Sequence, residues 1–206
     1  MHQDLRIVTP IEVFKDWKWT AEYLLEVLID FDYETIARLT PNAEVDSRQW
    51  VPIFANNLDT WRLLVDDADL VVGYWHFVAL TPEYAERCKV GELIEAEFSA
   101  NNIRPMDKPG VYDIYMVSVC LAPKYQRTGV SDAMMKSFVD VIDELAVKGV
   151  AVRNVYTNAY SEKGKRHIQK QGYEIVADHG EHGQIAVSTI EKIRKSCVNS
   201  PINLLK

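Results

Sequence analysis

The alternation of periodicities along the chain predicts a mixed α/β fold organised around a strand, helix, strand crossover. Val111 to Leu121 is a long run rich in β-branched and aromatic residues, stopped by Pro123. Across Gly129 to Lys148, Val130, Met134, Phe138, Val141, Ile142 and Leu145 recur at helical spacing, and Gly149 follows as a C-terminal cap. Val150 to Thr157 then returns to strand-forming residues. A helix joining two such strands packs back on their sheet as a right-handed crossover.

The remaining elements fall around this centre. Leu5 to Phe14, interrupted by Pro10, reads as a first strand or edge segment. Tyr23, Leu24, Val27, Leu28, Phe31 and Ile36 give Trp17 to Leu39 an amphipathic helical pattern, ended by Pro41 and Asn42. Trp61 to Val65 and Leu70 to Leu80 are β-rich runs across the acidic turn Asp66, Asp67, Ala68, Asp69, which predicts an antiparallel hairpin. Thr81 followed by Pro82 is a helix start, so Glu83 to Phe98 is expected as a helix, with Asn101 to Gly110 a loop. Ser161 to Gln171 reads as a short helix capped by Ser161 and closed by Gly172. Tyr173 to Val176 and Gln184 to Thr189 form a last hairpin across Asp178 to Gly183.

No repeat or linker divides the 206 residues, so residues 1–206 are expected as one domain with an embellishment near 81–108 and an extension at 190–206. The formal charge of −7 argues against a nucleic-acid partner and is compatible with a cationic substrate. The N-terminus shows no basic and apolar leader, and no apolar run approaches the roughly 20 residues of a membrane span. A cytoplasmic protein with no membrane partner is expected. Cys88, Cys120 and Cys197 are far apart and without metal-ligand spacing, so neither a disulfide framework nor a metal site is expected.

The chemistry concentrates in the turn between the long strand and the strong helix, Pro123-Lys124-Tyr125-Gln126-Arg127-Thr128-Gly129-Val130-Ser131. A helix start leaves backbone N–H groups unpaired at the positive end of the dipole, which favours an anion. Gly129 has no Cβ to keep a pyrophosphate away, and Arg127 or Lys124 can add charge for a nucleotide phosphate.

This stretch resembles motif A of the GNAT superfamily of N-acetyltransferases, whose signature is Q/R-x-x-G-x-G/A after a strand. Gln126, Gly129 and Ser131 fall on its fixed positions, Ser131 replacing the usual glycine or alanine. The later Gly172-Tyr173 closing a short helix stands in the family's order, and the resemblance covers roughly Trp61 to Val187. It implies a mixed, mostly antiparallel central sheet with helices on both faces and a splayed strand pair holding acetyl-CoA. Val119 and Leu121 would lie against the pantetheine arm, the Leu121 amide near the thioester carbonyl. Arg127, Thr128, Gly129, Val130 and Ser131 would surround the pyrophosphate, and Ser161 stands where the family has an asparagine that meets the cofactor.

By the same resemblance the activity is acetyl transfer to a primary amine of a small molecule or protein, through a tetrahedral intermediate and without a metal. The sequence leaves the oligomeric state open, a homodimer included. Asp113 matches a location of the family's base, with Tyr115 two residues on, and strand alternation would put both on one face with Val119 and Leu121. Asp113 lies about 20 Å from Val119 at roughly 3.3 Å per residue, so a water relay or a bulge bringing Tyr115 or Ser118 closer is needed. The family's acid, a tyrosine four residues before the closing glycine, is Ile168 here, leaving water, His167 or Tyr160. Glu92, Glu95 or Glu97 is expected to lend negative potential to the amine. The alternatives are a catalytically silent acyl-CoA-binding module and a longer-chain acyltransferase.

Overall fold

The computed structural model of the chain describes residues 5–36, 47–92, 95–180 and 183–197. Strand β1 is only Arg6–Val8, shorter than the Leu5 to Phe14 segment expected. The chain leaves the sheet because Thr9, Pro10 and Glu12 form a capping box: the Glu12 amide donates to Thr9 Oγ1 at 3.2 Å and the Thr9 amide to Glu12 Oε2 at 2.7 Å. Helix α1, Pro10–Glu12, runs into one wide turn over Val13–Trp17. Thr20 then caps α2, Ala21–Thr35. The helix end expected at Pro41 and Asn42 lies outside the described residues.

Helix α3, Ser47–Ala55, was not expected from the sequence, where Pro52 interrupts the pattern. It buries Ile53 and Phe54 completely. The acidic hairpin forms as expected between β2, Trp61–Val65, and β3, Val71–Ala79. Its turn is tied by Asp66 Oδ1, which accepts from the amides of Ala68 and Leu70, each at 3.1 Å.

Helix α4 covers only Pro82–Lys89, not the span to Phe98. Gly91 takes a left-handed φ of 75° and ends it, and a single 3₁₀ turn follows at Glu95–Glu97. The crossover is β4, Gly110–Leu121, then α5, Val130–Val147, then β5, Val150–Ala159. Helix α6, Glu162–Lys170, the hairpin β6, Glu174–Asp178, and β7, Gln184–Ser188, and helix α7, Ile190–Cys197, complete the chain.

The strands form one seven-stranded sheet in the order β1-β2-β3-β4-β5-β7-β6. Only β4 and β5 are parallel. Helices α5, α6 and α7 bury Met134, Phe138, Ile168 and Ile193 against one face, where Trp75, Phe77, Ile114 and Met116 meet them. Phe138 is edge-on to Trp75 at 5.6 Å and to Phe77 at 5.5 Å. The opposite face carries α2 and α3 over Leu63, Tyr74 and Cys120, and α4 near Val78 and Tyr115. Cys88, Cys120 and Cys197 are buried and free, and among the described residues no helix is long and apolar enough to cross a membrane.

Candidate active site

The sheet opens where its two parallel strands part. β4 and β5 pair from Gly110↔Val150 to Met116↔Thr157 and no further, although β4 keeps β3 as far as Leu121 and β5 keeps β7 as far as Ala159. Thr157 Oγ1 donates to Met116 O at 3.0 Å at the apex of this V. A cavity of about 190 Å³ fills it, walled on the β4 side by Val117, Ser118, Val119 and Cys120. The Ala122 amide bonds back to β3 at Val72 O, 2.8 Å. Alternation along the strand therefore turns the backbone groups of Val119 and Leu121 toward the gap.

A bulge sets which side chains face it. Opposite His76 stands Ser118, but opposite Phe77 stands Met116, so Val117 is an extra residue on β4. Ile114 and Met116 face the α5 side before it, Val119 and Leu121 after it. Tyr115 faces the α4 side. The expectation that Asp113 and Tyr115 share a face with Val119 and Leu121 therefore does not hold, because one inserted residue inverts the alternation.

Beyond the end of β4, Gly129 is the N-cap of α5 at φ 90° and gives it no side-chain cap, and residues 127–131 stand outside the cavity wall. The helix start thus presents bare amides. Arg127, at φ 63°, and Thr128 are exposed, Ser131 is half-buried and Val130 buried. Thr128 Oγ1 donates to Tyr125 O at 2.5 Å. Gln126 links the end of β4 to α6, its Nε2 donating to Leu121 O at 2.8 Å and its Oε1 accepting from Lys163 Nζ at 2.8 Å. Ser161 Oγ accepts from the Gly164 amide at 3.0 Å as the cap of α6, while the residue also lines the cavity. Val119 is in the cavity wall and Leu121 is not.

The inner end holds a carboxyl that the residue pattern offered only as one of three. Glu95 lines the cavity and accepts a hydrogen bond from Tyr115 Oη. Burial drives its pKa up to about 7, against hydrogen bonds from Tyr115 and Tyr160 that favour the charged form; Asp32 raises it further. A carboxyl titrating there is a base or acid at physiological pH. Tyr160, whose own pKa burial pushes up, stands in the same wall. Glu92 and Glu97 are exposed, and Glu97 pairs with Arg87 at 2.5 Å.

Asp113 is placed elsewhere. Its carboxylate accepts from Arg153 Nε at 3.1 Å, from Arg153 Nη2 and from Asn154 Nδ2 at 2.8 Å. It borders a separate small hollow with Glu86, Arg104 and Arg153. A second bulge, at Arg153 on β5, creates that pairing. The structure thus joins Tyr115 to Glu95 and leaves Asp113 apart. The wall also contains Trp50 and Trp61, in line with the expectation that one or two of the tryptophans line an acceptor pocket, and Asp32 and His76, which the sequence did not mark as site residues. Ile168 is buried in it, beside His167, whose pKa burial lowers.

No family model matches the sequence, and no curated protein matches it. Solved structures do match the fold. Ard1 from Thermoplasma volcanium superimposes with a TM-score of 0.53 at 9% identity, covering 89% of this chain and 94% of that one. A GNAT-family acetyltransferase from Staphylococcus aureus Mu50 gives 0.54 at 10% identity, over 90% and 99%. AtaTR bound with acetyl-CoA gives 0.52 at 12% identity, over 93% and 97%. In sheet order, crossover and splayed strands, the chain has the fold of the GNAT acetyltransferases.

Proposed function

We propose that the chain is an acetyl-CoA-dependent N-acetyltransferase acting on a primary amine of a small molecule or protein. The observation that carries this reading is the gap between β4 and β5, with a bare helix N-terminus beyond the end of β4 and a carboxyl of pKa about 7 at the inner end of the gap. Acetyl-CoA fits these residues: Gly129 leaves room for a phosphate over the α5 amides, and the free β4 edge offers amide partners to an extended arm. It would supply an activated acyl group.

The chain's own residues supply the rest. The amides from Gly129 to Ser131, with Arg127 beside them, hold the pyrophosphate. The β4 edge at Val119 positions the thioester and turns an N–H to the oxyanion as the amine attacks. The acceptor's ammonium form sheds one proton to solvent, and Glu95, held by Tyr115 and Tyr160, takes the second proton from the nitrogen as it attacks. Tyr160, bonded to the same carboxyl, hands a proton to the departing thiolate and regains one from Glu95. Trp50, Trp61 and Met135 exclude water.

Calorimetric titration of acetyl-CoA into wild type and Gly129→Glu tests the site. Binding by wild type and none by a folded Gly129→Glu is expected; equal affinities would remove the pyrophosphate from α5. A second reading, a catalytically silent acyl-CoA-binding module, is favoured by Ile168 where the family has its acid. Amine-dependent consumption of acetyl-CoA separates the two.

A further inference from the structure

The cavity contains a polar group that the proposed reaction does not use. His76 on β3 is 2% exposed and lines the cavity, yet neither ring nitrogen has a hydrogen-bond partner among the described residues. The ring is held in place: it stacks on Trp61 at 3.5 Å and 4°, and Trp50 meets it edge-on at 5.1 Å. Burial lowers its pKa well below the ordinary value, so at neutral pH it is an uncharged imidazole with one donor and one acceptor. An apolar side chain would fill this slot without leaving buried nitrogens unpaired.

The rest of the wall restricts what can satisfy it. Asp32 and Glu95 both line the cavity, and no lysine or arginine does so among the described residues. A carboxylate entering would meet like charge and no counterion. The cavity, about 190 Å³, is shared with the acyl arm. His76 lies opposite Ser118, next to the Val117 bulge, and opens on the same cavity as Glu95.

We infer that the acceptor is an amine carrying an uncharged hydrogen-bonding group, such as a carboxamide, a few atoms from the reacting nitrogen, and that His76 recognises this group. The inference rests on the acetyltransferase reading and names its substrate class. A free amino-acid amide and the N-terminus of a peptide share this chemistry.

Acetyl transfer is measured with leucinamide, leucine and isopentylamine, which share an alkyl frame and differ in the group beside the amine, for wild type, His76→Phe and His76→Gln. The readout is the change in preference for leucinamide over isopentylamine, which cancels the amines' differing basicities. His76→Phe should lower that preference roughly tenfold, the worth of a hydrogen bond, with the KM for acetyl-CoA unchanged; His76→Gln should restore part of it. Leucine should be the poorest of the three. Equal losses on leucinamide and isopentylamine, or leucine used as well as leucinamide, would overturn the inference.

Calorimetry with CoA-loaded protein, where no transfer occurs, separates the two levels. The same amine order in binding without turnover would support the acceptor class and defeat the acetyltransferase reading. Absence of leucinamide binding overturns the class itself. A leucine-headed tripeptide amide, compared with leucinamide, assigns the source: either preferred substrate supports the class, the first pointing to chain N-termini and the second to small amines.

Discussion

Glu95 and Asp113 are both carboxylates near the middle of the sheet, and their surroundings separate their roles. Two tyrosines hold the Glu95 carboxyl, and burial drives its pKa up to about 7. Acetyl transfer should therefore rise with pH through about 7, and Glu95→Gln should lose that limb and 10²- to 10⁴-fold in rate, roughly the worth of a proton transfer. Tyr115→Phe removes a donor that favours the charged form, so the limb should move to higher pH; a rate profile unmoved in both variants would place the base elsewhere. Asp113, held by Arg153 and Asn154, is expected to be structural. Asp113→Asn should keep the transfer rate and lower the stability by about 1–3 kcal/mol in urea unfolding. Gly129 was legible in the sequence because only a residue without Cβ suits that turn. His76 was not, since a histidine in an apolar strand reads as core until both its nitrogens are seen unpaired.

At the scale of elements, regular periodicity carried well and single inserted residues did not. Helix α5 and strands β4 and β5 followed from the spacing of Val130 to Leu145 and the β-branched runs around it. Helix α3 was hidden by Pro52, and α4 stopped early because Gly91 could turn left-handed within a run of charged residues. The Val117 bulge decided the site; a bulge on this strand was one expectation, but nothing in Met116-Val117-Ser118 fixes where it falls, since small or β-branched residues suit either face. Deleting Val117 would keep Met116 opposite Phe77 and Val119 opposite Trp75 but remove the kink that the extra residue imposes on β4, so the gap should narrow and acetyl-CoA binding weaken while the far hairpin β6–β7 persists in amide exchange. Phe138, enclosed by Trp75 and Phe77, anchors α5 to the sheet. Phe138→Ala should cost about 3–5 kcal/mol, measured by urea unfolding, since a filled aromatic slot is left as a cavity.

For the molecule as a whole, the two buried titratable groups act on stability with opposite sign. His76 stays neutral when folded, so as pH falls below about 6.5 the unfolded chain gains a proton the folded one refuses, and stability is lost. Glu95 holds its proton to about 7 when folded, so its contribution is full below about 4.5 and fades as pH rises through 7. Relative to wild type, His76→Phe should gain stability as pH is lowered from about 7 to 5, and Glu95→Gln as it is raised over the same range. Unfolding midpoints that shift in parallel at all pH values would contradict both assignments. The fold that places these groups was legible from the order of its elements, and Glu95 was among the carboxylates expected at the amine, whereas the β3 side of the acceptor end, Tyr74 and His76, was not, because α2, α3, β3 and the Glu95 turn are distant in sequence. Acetyl transfer by this assembly is tested by following thiol release from acetyl-CoA with and without leucinamide at pH about 8, where a base of pKa near 7 is mostly ionised. Amine-dependent release that disappears in Gly129→Glu is the result expected; acetyl-CoA bound by wild type without release on adding any of the amines would contradict it.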